Sequence, residues 1–397
     1  MIIETKNILA ILATKLPLKA IVNTTSVVIV TGFIKAKSTF GLKLTKQEAI
    51  TINRDIQLLR CKMTIVDFAG KQYIEVLDND PFHYRPIKHG IGPSSAIVPN
   101  LRKDGSPKGQ IFQFDDQFRQ YQQSKHLCYK HAHREKFYQQ SVCSKVLDVR
   151  REVTKTIINS LLEEYPQYFK IDLHDGLATL ACRLTHEQIC YDPEDMALVY
   201  TTGDLQYKDL FDALAFQVQE DMAVITNIDG IPTASIIHLH HPNSWSANAV
   251  IGQSFSKIHE EVKHRNEQLV VKRPDNVAAV FCSKPVRLER VGAISFRTSG
   301  ILEHHPDNSE LESYLSYFDK DDPKLIMRFE RQTIQGLPGV NSFLFTIKTY
   351  MYDVFAPGRE QEMIEAFSNI DENVYSRWFT DQYAQDVLEA LHKRKQG

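Results

Sequence analysis

The stretch Leu325 to Tyr350 restricts the possible folds more than any other. Two runs rich in β-branched and aromatic residues flank Gly336, Pro338 and Gly339, so the segment reads as two consecutive strands joined by a loop. Period-two alternation sends Arg328, Glu330 and Gln332 to one face of the first strand and Phe329, Arg331 and Thr333 to the other. Burying unpaired charge costs several kcal/mol. An interior position for this strand therefore requires partners for its charges: each other, a loop backbone or an anionic ligand.

The rest of the chain is long enough to supply them. Its 397 residues are 43% apolar and 24% charged, an ordinary globular composition. Forty-seven basic side chains balance 49 acidic ones, so there is no basic field to gather nucleic acid. Any charged ligand has to be held locally. Cys61, Cys128, Cys143, Cys182, Cys190 and Cys282 lack C-x-x-C or metal-pair spacing, which favours reduced thiols and a cytoplasmic setting over a disulfide framework. No apolar run reaches the roughly 18 to 20 residues of a membrane helix. The nearest, Ala20 to Ile34, is interrupted at Asn23 to Ser26, and Glu4, Lys6, Lys15 and Lys19 break the order of a signal peptide.

Three regions are expected. Residues 1–62, rich in Ile, Val, Thr and Lys without helical period, read as an extension whose natural boundary could fall at Met63. Residues 63–205 read as a loop and helical region. Short strands are expected at Met63 to Phe68 and Tyr73 to Leu77, followed by a basic Gly/Pro loop from Phe82 to Gly109. That loop suits either anion binding or a solvated connection. A polar helix is expected over Asp116 to Gln140, carrying His126, His131 and His133 without a thiol or carboxylate spacing that completes a metal site. The clearest helix is Ser141 to Tyr165, where Val142, Val146, Val149, Val153, Ile157 and Leu161 form one stripe and Pro166 follows. Residues 167 to 203 read as looser structure, with one short strand or helix at Leu177 to Leu184.

Residues 206–397 carry the sheet and C-terminal helices. A helix capped by Asp204 is expected to run through Leu210, Phe211, Leu214, Ala215, Val218 and Met222. Ala223 to Ile228 and Ile231 to His241 then form a hairpin about Asp229-Gly230, the type I′ dipeptide. A helix near Pro274 to Cys282, a strand at Val286 to Glu289 leading toward Arg297, acidic loops at Glu303 to Glu312 and Asp319 to Asp322, and helices at Glu360 to Ile370 and Val374 to Lys395 complete the chain. There is no internal repeat.

Several motifs here resemble the heme-dependent oxidative N-demethylase family. They are Phe216-Gln217-Val218-Gln219-Glu220-Asp221, His240 to Trp245 as His-x-Pro-x-x-Trp, Gly252 through Ile258-His259, and Arg328-Phe329-Glu330-Arg331-Gln332-Thr333 with Leu337-Pro338 and Phe345 to Tyr350. Their order and spacing agree over roughly residues 110 to 355, the last run being the most specific. The resemblance implies an α+β protein: a PAS-like antiparallel β-sheet wrapped by helices, with an N-terminal helical region. It further implies heme b in the concave face of the sheet, reductive O2 activation and oxidation of a small secondary amine. Electrons would come from NADPH through partner reductase subunits carrying flavin and an iron-sulfur cluster. The chain departs from the family pattern at Val250, where a Lys is usual, at Val262-Lys263, where Val-Pro is usual, and between Arg290 and Phe296, where a Trp is missing.

The resemblance makes His259 the first candidate for the iron ligand, with His238, His240 and His241 competing. His238 and His240 also have strand spacing for a metal pair, which would need a third ligand. Arg331 and Lys348 are candidates for propionate contacts, Arg331 alternatively for pairing with Glu220 or Asp221. Glu330 and Tyr350 could relay protons or make structural hydrogen bonds, and Trp245 could wall a pocket or pack in the core. Two rival readings are a noncatalytic ligand-binding PAS-like module and a structural subunit whose charged strand is only a salt-bridge network.

Overall fold

The structure is a computed structural model, which describes residues 98–99, 109–115, 117–131, 134–143, 145–241, 245–260, 274–297, 323–371 and 380–396. The chain divides into two units, Met1–Tyr73 and Ile74–Gly397, and every described residue lies in the second. The extension at 1–62, the strands expected before residue 78, nearly all of the basic loop, His133, Lys263, both acidic loops and Trp378 with Phe379 lie outside the described residues.

Eleven strands and eight α-helices follow in order among the described residues. They are β1 (Val98–Pro99), α1 (Phe118–His131), β2 (Tyr138–Gln140), α2 (Val146–Glu164), β3 (Phe169–His174), β4 (Leu177–Cys182), β5 (Gln188–Asp192), β6 (Ala197–Thr201) and α3 (Leu210–Ala215). Next come β7 (Asp221–Ile228), β8 (Ile231–His238), α4 (Ala247–Val250), α5 (Phe255–Glu260), α6 (Pro274–Ser283), β9 (Arg287–Arg297), β10 (Ile326–Leu337), β11 (Ser342–Asp353), α7 (Glu360–Ser368) and α8 (Asp381–Gln396).

The larger sheet has the order β1-β9-β10-β11-β7-β8-β2, with every pair antiparallel. This is the α+β architecture expected. Its two hairpins follow from turn chemistry. Asp229 and Gly230 both take positive φ (52° and 89°), the type I′ geometry whose twist matches that of the strands. Between β10 and β11 a short 3₁₀ turn at Pro338–Val340 ends on Asn341, whose φ of 49° reverses the chain into β11.

Three expectations need correction. Residues 167 to 203 form a regular four-stranded antiparallel sheet, β3-β4-β5-β6, rather than loose structure. Its strands are only five or six residues long, too short for their alternation to stand out. The helix expected to reach Met222 stops at Ala215 and is capped by Asp209, whose side chain accepts from Asp212 N, not by Asp204. Past its end, Lys125 Nζ donates to the carbonyls of Ala215, Val218 and Glu220 at 2.8, 2.8 and 3.0 Å, so a turn is satisfied where another helical turn was expected. Finally, the polar helix expected to reach Gln140 ends at His131, and Tyr138–Gln140 pair as a strand with β8.

Three apolar clusters hold these layers. The first packs α2 and α3 between the two sheets, through Val149, Val153, Ile157 and Leu161 against Leu180, Ile189, Val224 and Ile236. Val142, expected on the α2 stripe, precedes the helix and is fully exposed. A second cluster joins Met327, Phe329, Tyr350 and Tyr352 to α7 and α8 through Met363, Phe367, Tyr383 and Val387. The third lies on the opposite face of the large sheet, joining Ile225, Ile237, Leu288, Ile334 and Phe343 to Phe281 of α6, with Trp245, Phe255 and Ile258 packed against it.

Candidate functional site

Strands β10 and β11 pair residue for residue, Glu330 with Thr349 and Arg331 with Lys348, so their two faces can be followed directly. One face carries Phe329, Tyr350, Arg331, Lys348, Thr333 and Thr346. The other carries Arg328, Glu330, Thr349, Gln332, Ile347, Ile334 and Phe343.

The first face carries a buried ionic layer. Lys348 Nζ lies 2.7 Å from Asp115 Oδ2 and donates to the carbonyl of Gln113 at 2.8 Å. Arg331 donates to the carbonyls of Gln110 and Ile111 and to Glu289 Oε2, at 2.6, 3.1 and 2.8 Å. Glu220 takes the amide of Gln113 at 2.8 Å, and Tyr350 donates to the Gln113 side chain. Burial lowers the pKa of Lys348 despite Asp115 and Glu220, and raises that of Glu220 despite Lys348 and Arg331. These residues fasten segment 110–115 to the sheet.

His238, His240 and His241 belong to the same side of the molecule. His238 Nε2 sits 2.9 Å from Asp212 Oδ1, and the ring of His240 stacks on Phe137 with centroids 5.6 Å apart. The His241 ring meets Ser124 Oγ at 3.0 Å and Tyr121 edge-on. Burial lowers the pKa of all three. Asp221 accepts from the amides of His240 and His241, and burial pushes its carboxyl up to about 6. Among the described residues no group of three or more His, Cys, Asp or Glu side chains is arranged to hold a metal ion.

The second face is amphiphilic. Near the β10–β11 turn it is apolar, where Phe343 meets Phe281 and Phe255 edge-on at 5.7 and 6.0 Å between centroids. Phe255 opens α5, and one turn later His259 Nδ1 lies 2.7 Å from the Phe255 carbonyl. A carbonyl only accepts, so in the neutral ring Nδ1 carries the proton and the lone pair sits on Nε2. Along β11, Thr349 is six residues from Phe343, about 20 Å at the usual strand rise. There the face turns polar. Arg328 Nη1 donates to Glu330 Oε1 at 2.7 Å, and its Nη2 donates to Thr349 Oγ1 and to the His241 carbonyl, each at 2.9 Å. Arg290 reaches this cluster from β9, its pKa lowered by burial and supported by Glu330.

Of the residues singled out from the sequence, Glu330, Trp245 and His259 therefore share the amphiphilic side, whereas Arg331, Lys348, Tyr350 and His240 stand on the opposite side. Glu330 and Tyr350 are not brought together. Arg290 and Gln332 were not singled out as site residues; their signal is the alternation that places Leu288, Arg290 and Gln332, Ile334 on one face across the β9–β10 pairing.

Fold and site thus define an α+β protein whose central antiparallel sheet carries an ionic clamp on one face and an apolar-to-polar arrangement of side chains on the other. The chain belongs to the family described as Haem-dependent oxidative N-demethylase, alpha subunit-like, whose family model matches residues 104–380. A comparison with curated proteins finds no match.

Proposed function

We propose that the amphiphilic face holds heme b and that the chain is the oxygenase subunit of an oxidative N-demethylase acting on a small secondary amine. The observation that carries this is the tautomer of His259, whose Nδ1–H is engaged by the Phe255 carbonyl so that Nε2 presents a lone pair. The other residues suit the same group. Phe255, Ile258, Trp245 and Phe345 supply apolar walls, and Arg290 a guanidinium at the polar end for propionates. The five strands β8-β7-β11-β10-β9 stand in the order second, first, fifth, fourth, third along the chain, with helices between the second and third, in keeping with a PAS-like sheet.

When bound, heme supplies reductive activation of O2. In this reading His259 would hold the iron through Nε2, and the apolar walls would exclude water. Glu330, ion-paired to Arg328, offers its carboxylate oxygens to the substrate nitrogen and its proton. Arg331 and Lys348 act from behind the sheet by fixing segment 110–115. The alpha-subunit-like description supports partner subunits, and in this reading they would deliver electrons from NADPH through flavin and an iron-sulfur cluster.

The test is spectroscopic. Protein purified from heme-replete cells should show a Soret band, and His259→Ala should lose or shift it. No Soret absorbance and no heme uptake by the apo-protein would sink the reading. A second reading, a heme-binding module without oxygenase chemistry, draws on Val250, which is buried in the apolar cluster where the family usually carries Lys. Heme retention without amine-dependent O2 consumption, in the presence of a competent reductase, would favour it.

A further inference from the structure

Glu330 is held from two sides. Arg328 occupies Oε1, and Gln332 Nε2 donates to Oε2 at 2.9 Å. Gln332 is itself fixed, because Arg290 Nε donates to its Oε1 at 2.7 Å. A guanidinium only donates, so the amide oxygen must face Arg290 and the amide NH2 must face Glu330. The backbone departs from regularity at the same place. Phe329 pairs with Ile294 and Arg331 with Val291, so Gly292 and Ala293 together oppose Glu330 as a bulge in β9. The bulge makes room for the amide, since a Cβ on Gly292 would lie 2.3 Å from Gln332 Nε2 and 2.4 Å from its Cδ.

We propose that Gln332 is a positioning residue that aims the Glu330 carboxylate at the substrate nitrogen, with Arg290 fixing the amide and Gly292 reserving its space. A Cβ at 292 meets the end of a flexible side chain rather than backbone. Gly292→Ala therefore swings the amide off Glu330 and leaves the fold intact. A carboxylate with four lone-pair positions and only two donors retains acceptor capacity for an ammonium N–H. Released from Gln332, Glu330 keeps Arg328 but loses its fixed orientation.

This inference rests on the proposed amine site, and the experiment separates the two. Dimethylammonium binding to the heme-loaded protein is titrated by the change in its Soret spectrum, for wild type, Gln332→Ala, Gly292→Ala and the double variant. Heme content and urea unfolding midpoint are measured on each. Each single variant should raise the dissociation constant about tenfold, the scale of one hydrogen bond to a charged group. The double variant should bind no more weakly than Gln332→Ala, because Gly292→Ala acts only through Gln332. In turnover, KM should rise more than kcat falls. Wild-type affinity in Gln332→Ala, or additive effects in the double variant, overturns the inference while leaving the amine site standing. A wild-type protein that takes up no heme or no amine removes the underlying reading first. Should Gly292→Ala fail to fold, Gln332→Met, similar in volume but without the amide, decides in its place.

Discussion

Arg331 and Lys348 stand directly opposite one another in the β10–β11 register, two buried cations on one face of the sheet. Adjacent like charges cost energy unless anions or carbonyls compensate each of them. Here Glu289 answers Arg331 and Asp115 answers Lys348, while three backbone carbonyls of segment 110–113 take further donors. The motif that first reads as a strand with unexplained charge is thus a clamp behind the amphiphilic face.

Breaking one half of that clamp should be costly. Asp115→Asn leaves Lys348 beside Arg331 without its ion-pair partner in a dry layer, with Glu220 as the remaining anion, and breaking a buried pair typically costs about 3 to 5 kcal/mol. Urea unfolding should show that loss. Asp115→Leu with Lys348→Met together should recover part of it, since neither charge is then stranded.

Glu164 makes stability depend on pH. Its carboxylate accepts from the Ile111 amide and from Arg287, yet burial outweighs them and pushes its pKa up to about 7 from an ordinary 4.5. With the folded value above the unfolded one, the native state binds more protons between these two pH values. This contribution is complete below about pH 4.5 and is lost as pH rises through about 7. Glu164→Gln keeps an acceptor for the amide and should flatten the fall in stability across that window. Wild type and variant with equal pH slopes would contradict the assignment.

What the sequence disclosed depended on whether a residue's partner was near in the chain. Asp229-Gly230 announces its hairpin locally, and Val149, Val153, Ile157 and Leu161 announce a helix by spacing. The face that Arg331 serves was not legible, because its partners Gln110 and Ile111 lie more than 200 positions away. The motif run held Glu330, Arg331 and Tyr350 together, and strand alternation puts Glu330 on one face and Arg331 with Tyr350 on the other. His240 opens the His240 to Trp245 motif, yet its ring packs against Phe137 and Phe216 on the side away from Trp245. Arg290 escaped notice because its meaning comes from Gln332, its partner across the β9–β10 pairing and 42 positions away in the chain.

Lys125 is the device that ends α3, and removing it should be felt well beyond α1. Its ammonium is fully buried and serves three carbonyls at once. Lys125→Met fills a similar volume and leaves those acceptors without their donor, each worth about 1 to 3 kcal/mol when unsatisfied. Chemical denaturation should show a loss of several kcal/mol. Hydrogen exchange should open at the start of β7, where the Glu220 carbonyl loses its anchor.

The Leu337-Pro338 corner offers a last and separable test. At Gly336 a Cβ would fall 1.9 Å from the Lys284 carbonyl oxygen and 2.8 Å from that of Phe281, both backbone atoms at the end of α6. The Gly336 amide meanwhile donates to the Val286 carbonyl at 2.8 Å, so β10 cannot slide away without giving up that bond. Gly292 differs, because what it faces is the end of a side chain that can rotate. Gly336→Ala should therefore force α6 away from the sheet, with a loss of at least about 3 kcal/mol, in the range of severe core overpacking. Because α6 contributes Phe281 to the apolar half of the amphiphilic face, the same substitution should also weaken heme retention. Gly292→Ala, which gives up only the bonds of one movable amide, should cost distinctly less stability and keep heme, and a comparable unfolding loss for the two substitutions would refute this contrast between backbone and side-chain contact.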